Sequence, residues 1–218
     1  NRFPTGTRAD RTLFQIGEAY FAQDEYDQAI PFFQTLVDKM RINELTELEI
    51  QKIQRDKLAG LTDDTALDLA ARAALRIGAC YGNSNRYEEA EASYKRMATL
   101  FTFDNNLIYA AYTSLADMYF DQGLFDDSIQ AYRDAIDEVP DRILGAKMQN
   151  LIGRRYLEGY TDADDVQHTF YVDAIQAYQA YITNYSEVAL RAGFGLDQAF
   201  FSLGQAYADL GTQMINND

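Results

Sequence analysis

The chain has 218 residues, with 19 Lys and Arg against 34 Asp and Glu, a formal net charge of -15, 16 Tyr, 13 Phe and no Trp. A phosphate backbone needs a basic surface, so this charge argues against nucleic acid and equally against an anionic membrane. No apolar run approaches the roughly 20 residues of a transmembrane helix, and the single Cys80 leaves no internal disulfide to form.

In chain order, the first predicted element is an amphipathic helix carrying Ile16-Gly17 with Tyr20 three residues on. The next carries Tyr26, Ala29, Phe33 and Leu36, an aromatic, a small residue, an aromatic and an apolar residue at one fixed spacing. Residues 42–65 then interrupt the pattern. They contain ELTELEIQKIQRDKL, rich in helix formers, which reads as an extension of the second helix or an added helix, with Thr62-Asp63-Asp64 capping the next one.

The pair recurs as Ile77-Gly78 with Tyr81, then Tyr87, Ala90, Tyr94 and Met97. It recurs again as Tyr112, Leu115-Ala116 and Tyr119, then Phe125, Ser128, Tyr132 and Ala135, with Pro140 ending the helix. A fourth copy has Ile152-Gly153 with Tyr156, then Tyr171, Ala174, Tyr178 and Tyr181. Between its halves the polar stretch TDADDVQHT predicts an exposed loop. A last helix, Leu196 to Leu210 with Leu203-Gly204 and Tyr207, stands without a second helix.

Two features of the pattern have physical reasons. The small residue of each first helix lets the second helix approach until its aromatic packs across it, and a bulky residue there would overpack the contact by about 1–3 kcal/mol. Asp24, Asn85 and Gly123 each lie seven residues after the small residue, and these are types that tolerate the left-handed backbone ending a helix. A helix pair this short cannot bury its own apolar face, so the units are expected to stack as an array, the architecture of a binding or assembly scaffold.

Little in the sequence points to chemistry. Cys80 falls on an apolar helix and reads as a buried inert thiol. His168 is the only histidine and sits in the insertion loop, so no catalytic set is expected. Asp162, Asp164 and Asp165 resemble the opening of a calcium loop, but Gln167 and Asp173 stand where that loop needs Gly and Glu. No metal and no cofactor are expected.

The small residue, the Tyr three on, the later Ala and the aromatic after it together resemble the tetratricopeptide repeat, over about Arg11 to Met214. The family's usual Trp is replaced by Leu13, Ala74, Tyr112 and Phe200. The resemblance implies an all-α, right-handed superhelical solenoid of stacked antiparallel helix pairs, with inserted segments after the first repeat and inside the fourth. The implied division is an extension at 1–10, repeats at 11–41, 66–103, 104–140 and 141–186, a helical insertion at 42–65, a loop insertion at 160–169, and a linker with a terminal or capping helix at 187–218. The chain opens on Asn1 with no Met and no signal-like segment, so it is expected to be processed or part of something longer.

The resemblance also implies a groove lined by the first helices that grips a protein partner as a peptide or amphipathic helix. Carried over, its residues are Arg11, Phe14, Glu18 and Phe21, then Arg72, Leu75, Arg76 and Asn83, then Thr113, Asp117, Phe120 and Asp121. Lys147, Asn150 and Arg154 come next, and Gln198, Phe201 and Gln205 complete the set. The family's carboxylate clamp is not implied, because Phe14 and Glu18 stand at its first positions, although Arg72 and Arg76 match its later basic pair. The expected function is therefore a non-enzymatic scaffold. The alternatives are a self-assembling subunit built on its exposed apolar helix, or an accessory domain of a longer protein. The Y-x-x-A-x-x-x-Y helices and YITNYSE are similar to those of bacterial cell-envelope members, which implies a periplasmic or other extracytoplasmic setting.

Overall fold

Three turns of one design set the helix pairs. After Tyr20, Tyr81 and Tyr119 the backbone turns through Asp24, Asn85 and Gly123, at φ of 60°, 60° and 76°. The next amide donates back to the tyrosine carbonyl in each, Glu25 to Tyr20 at 3.0 Å, Arg86 to Tyr81 at 2.8 Å and Leu124 to Tyr119 at 2.9 Å. The amides of the turn residues themselves reach Phe21, Gly82 and Phe120. This double bond to the helix end is the Schellman arrangement, and it needs the left-handed residue that the sequence places there.

The turn residue also matches the aromatic two positions on. Tyr26 donates its hydroxyl to Asp24 and Tyr87 donates to Asn85, each at 2.6 Å. Phe125, which has no hydroxyl, comes after Gly123, which has no side chain to accept one.

The computed structural model describes residues 7–39, 44, 46–58, 65–101, 104–139 and 141–216. The helices are α1 Thr7–Phe21, α2 Tyr26–Lys39, α3 Glu47–Leu58, α4 Thr65–Asn83, α5 Tyr87–Leu100 and α6 Asn105–Asp121. They continue as α7 Phe125–Glu138, α8 Arg142–Glu158, α9 Tyr171–Ala192 and α10 Leu196–Asn216. A two-stranded antiparallel ribbon, β1 Tyr160–Thr161 and β2 Gln167–His168, joins α8 to α9. The expected capping run at 62–64 and the stop at Pro140 lie outside the described residues.

The chain divides into two units, Asn1–Leu115 and Ala116–Asp218, with the division inside α6. In the first unit α1 packs on α2 and α4 on α5, and α4 also packs on α1 and α2. Phe33 and Phe101 are fully buried in its core, beside Leu36, Val37 and Cys80. Each such aromatic contributes about 1.5–3 kcal/mol by burial. The insertion forms a separate helix, α3, rather than an extension of α2. It opens on a capping box: Glu49 accepts from the Thr46 amide at 2.9 Å and from its hydroxyl at 2.7 Å, while the Glu49 amide returns to that hydroxyl at 3.4 Å.

In the second unit α7 packs on α8, α8 on α9 and α9 on α10. Tyr132, Tyr178 and Tyr181 fill its interior. Two expectations change here. The stretch from residue 187 is not a linker but the last turns of α9, because SEVALRA continues a helical run that stops only at Gly193, φ 70°. The insertion at 160–169 is exposed at 161 and 163–167, as expected, but it folds as the β1–β2 ribbon rather than an irregular loop. Asp162 holds its tip by accepting from the amides of Asp164 and Val166, each at 2.9 Å, and it lies 2.7 Å from His168 Nε2. The ribbon's root packs inward, with Phe170 stacked on Phe125 at 4.7 Å and Tyr160 on His168 at 4.8 Å.

The small positions do what their spacing requires. A Cβ added at Gly17 would stand 2.7 Å from the Phe33 ring, at Gly78 2.7 Å from Tyr94, and at Gly153 2.8 Å from Tyr178. At Gly204, on α10, which packs on α9 and is followed by no second helix among the described residues, nothing lies within 4 Å.

Candidate functional site

In the first unit the first-type helices α1, α4 and α6 surround a cavity of about 180 Å³, walled by Phe14, Arg72, Leu75, Arg76, Ala79, Ala110 and Ser114. Four of these, Phe14, Arg72, Leu75 and Arg76, are among the residues expected in the groove. Phe14 is buried, edge-on to Phe33 at 5.5 Å, and so forms the floor rather than the open wall. The Arg72 guanidinium lies over the Phe14 ring, 5.2 Å from its centre. Arg72 is exposed and has no carboxylate partner among the described residues.

Arg76 is placed differently. Glu18 accepts from its Nε at 2.6 Å and from its Nη2 at 2.9 Å, and its guanidinium lies 4.9 Å from the Phe21 ring centre. Glu18, Phe21 and Arg76 therefore latch α1 to α4. The bidentate geometry fixes the guanidinium plane.

The second unit has a counterpart. Arg155 of α8 donates to Asp117 of α6 at 2.7 Å, lies 4.0 Å from the Phe120 ring centre, and reaches the Tyr132 hydroxyl at 3.5 Å. An acid followed three residues later by Phe holds an arginine of the next first-type helix in both units. Sequence reasoning missed Arg155 and chose its neighbour Arg154, which is exposed and only 3.6 Å from Glu158. No signal in the sequence marks Arg155, since Asp117 and Phe120, which hold it, come from another helix.

The other expected groove residues are dispersed. Arg11, Asn83 and Asp121 are exposed, and Thr113 turns its hydroxyl to the Tyr109 carbonyl at 2.7 Å. Lys147 and Asn150 are half-buried on α8. On α10, Gln198, Phe201 and Gln205 are exposed, with Gln205 donating to Asp209 at 2.8 Å.

Cys80 is fully buried beneath this wall, and burial pushes its thiol up to about 12, against a smaller opposing pull from Arg76. It is not a nucleophile poised for reaction. No group of three or more His, Cys, Asp or Glu that could hold a metal occurs among the described residues.

Sequence models of the tetratricopeptide repeat match residues 11–39 and residues 84–143, the α1–α2 pair and the stretch from the α4–α5 turn into α8. These two stretches are tetratricopeptide repeats. Among solved structures it is similar to the nearly identical TPR-like repeats of a candidate kinesin light chain from Podosopora anserina and to a single-substitution form of the same protein. The identities are 12% and 13%, with 94% of this chain and 88% and 87% of those chains covered, at a TM-score of 0.48 for both. No curated protein matches it. Tetratricopeptide repeats serve generally as protein-interaction scaffolds, and the fold implies protein partners in that general sense. No described helix is long and apolar enough to cross a membrane.

Proposed function

We propose that this chain is a non-enzymatic scaffold whose first-unit groove takes an extended segment of a partner protein. An acidic side chain or carboxylate of the segment meets Arg72, and a neighbouring apolar side chain enters the cavity against Leu75, Ala79 and Ala110. The observation that carries this reading is the contrast between the two arginines of one wall. Arg76 is satisfied by Glu18, whereas Arg72 is exposed over an aromatic floor with no carboxylate partner among the described residues. In a chain of net charge -15 such a cation at a cavity mouth is a specific attraction for a carboxylate.

Arg11 on α1 and Asn83 on α4 are further contacts proposed for the ends of such a segment.

Peptides selected from a random displayed library on the immobilised chain test this. Enrichment of sequences pairing an acidic residue with a nearby aliphatic one is expected. Arg72→Glu should weaken the selected peptide by about tenfold or more, roughly 1.4 kcal/mol. Peptides that bind Arg72→Glu as tightly as the parent chain would place the partner elsewhere.

A further inference from the structure

The outer face of α10 is apolar and uncovered. Phe200, Gly204, Tyr207, Gly211 and Ile215 recur at helical spacing, with Phe201 and Met214 flanking them, within an arc of about 140°. Relative exposures are 54% for Phe200, 70% for Phe201, 50% for Tyr207, 63% for Met214 and 78% for Ile215. Nothing lies within 4 Å of a Cβ built at Gly204 or Gly211. At Gly17, Gly78 and Gly153, which hold the same place in their helices as Gly204, an aromatic ring of a second helix covers the glycine. Among the described residues the face therefore has the form of a helix-receiving surface with no helix on it.

The residues themselves name the occupant. Reflected about the point between Tyr207 and Ala208, Gly204 falls on Gly211, Phe201 on Met214 and Phe200 on Ile215. An isologous interface requires this self-complementarity, in which residue i meets j and j meets i. Tyr207 accepts from Gln179 of α9 at 2.8 Å and leaves half of its surface open at the edge of this face. A pocket of about 410 Å³ at the α9–α10 turn, lined by Leu190, Phe194 and Phe200, lies where the other copy's Ile215 arrives. Among the described residues Asp197, in the first turn, is the one charged residue in the arc, so the face offers a partner of opposite charge almost nothing to pair with. The exposed side chains amount to on the order of 600 Å² per copy, close to the roughly 800 Å² per partner of a standard interface.

We infer that α10 pairs antiparallel with α10 of a second copy of this chain, each laying its exposed apolar side chains against the other's open glycines. The inference rests on α10 alone and is independent of the groove on α1, α4 and α6.

Sedimentation velocity of the 218-residue chain over a concentration series tests it. A monomer–dimer equilibrium is expected, weakened about tenfold or more by Ile215→Glu and by Phe200→Glu, with unchanged circular dichroism. Ala208→Cys, beside the twofold axis, should give a disulfide-linked dimer on mild oxidation, and Gln205→Cys should not. Cys80 is fully buried and does not compete. Monomer mass at every concentration up to about 100 µM overturns the proposal. So does a dimer indifferent to both glutamates, or one that Ala208→Cys fails to link.

Discussion

Ser128 occupies a position that the other second helices give to alanine, at Ala29, Ala90 and Ala174, and all four are fully buried. Its hydroxyl is the one buried side-chain polar atom without a hydrogen-bond partner among the described residues. An unsatisfied buried hydroxyl costs about 1–3 kcal/mol, so Ser128→Ala should raise stability by about 1 kcal/mol, read as a higher urea midpoint with unchanged m-value. The first-helix glycines divide the other way. Gly153→Ala places a methyl 2.8 Å from Tyr178, whereas Gly204→Ala meets open space. The first should cost about 1–3 kcal/mol, and the second should be neutral or stabilise by up to about 1 kcal/mol, since alanine is the better helix former. Thermal midpoints of the two variants, both in the second unit, check the difference. These positions were legible in the sequence because each is a local requirement, a left-handed turn or a close approach, repeated at one spacing. The matching of Tyr26 to Asp24, Tyr87 to Asn85 and Phe125 to Gly123 was also written there, but it is a relation between residues that no single position displays.

At the scale of elements, the latches depend on what a buried guanidinium does. The Arg155 side chain is 11% exposed and held by an aromatic face as well as by Asp117, while Arg154 is 57% exposed beside Glu158. Arg155→Ala should therefore cost about 1–2 kcal/mol through lost packing and cation–π contact, and Arg154→Ala less than about 0.5 kcal/mol. Comparing their denaturation midpoints decides it. The ribbon offers a pH test. The hydrogen bond from His168, then those from the Val166 and Asp164 amides, hold the Asp162 carboxyl below its ordinary range. A carboxyl lowered in the fold stabilises it above the unfolded value near 3.9, and that contribution is lost as pH falls through the folded value. The protection of the Asp162 amide against hydrogen exchange, relative to an unstructured amide at the same pH, should fall on acidification toward pH 3 as its bond to Val166 at 3.0 Å is lost, and Asp162→Asn should flatten the response. The ribbon escaped the sequence reading because two-residue strands carry no period, and polarity alone cannot separate a loop from a tip held by one aspartate. The separate start of α3 was readable in the Thr46–Glu49 spacing. The partners of Glu18 and Asp117 were not readable, since they come from another helix.

At the scale of the molecule, sixteen tyrosines with no tryptophan leave the phenol ring as the chromophore of tertiary structure. Burial pushes the hydroxyls of Tyr132, Tyr156, Tyr178 and Tyr181 up, and all four belong to the second unit. Unfolded tyrosines ionise near pH 10, so just above that pH these four stay neutral while the unit is closed and become phenolate when it opens. The unfolded chain then holds fewer protons than the folded one, so stability falls as pH rises through this range. The Asp24 hydrogen bond also raises Tyr26 of the first unit, so in a Tyr26→Phe chain phenolate absorbance, undisturbed by indole, becomes an optical gauge of the second unit. Thiol release from Cys80, in the first unit, supplies a chemical gauge of the other half. Monitored together through a urea series, coincident midpoints would mean that the array melts as one body, and separated midpoints would give each half its own stability without a single added label.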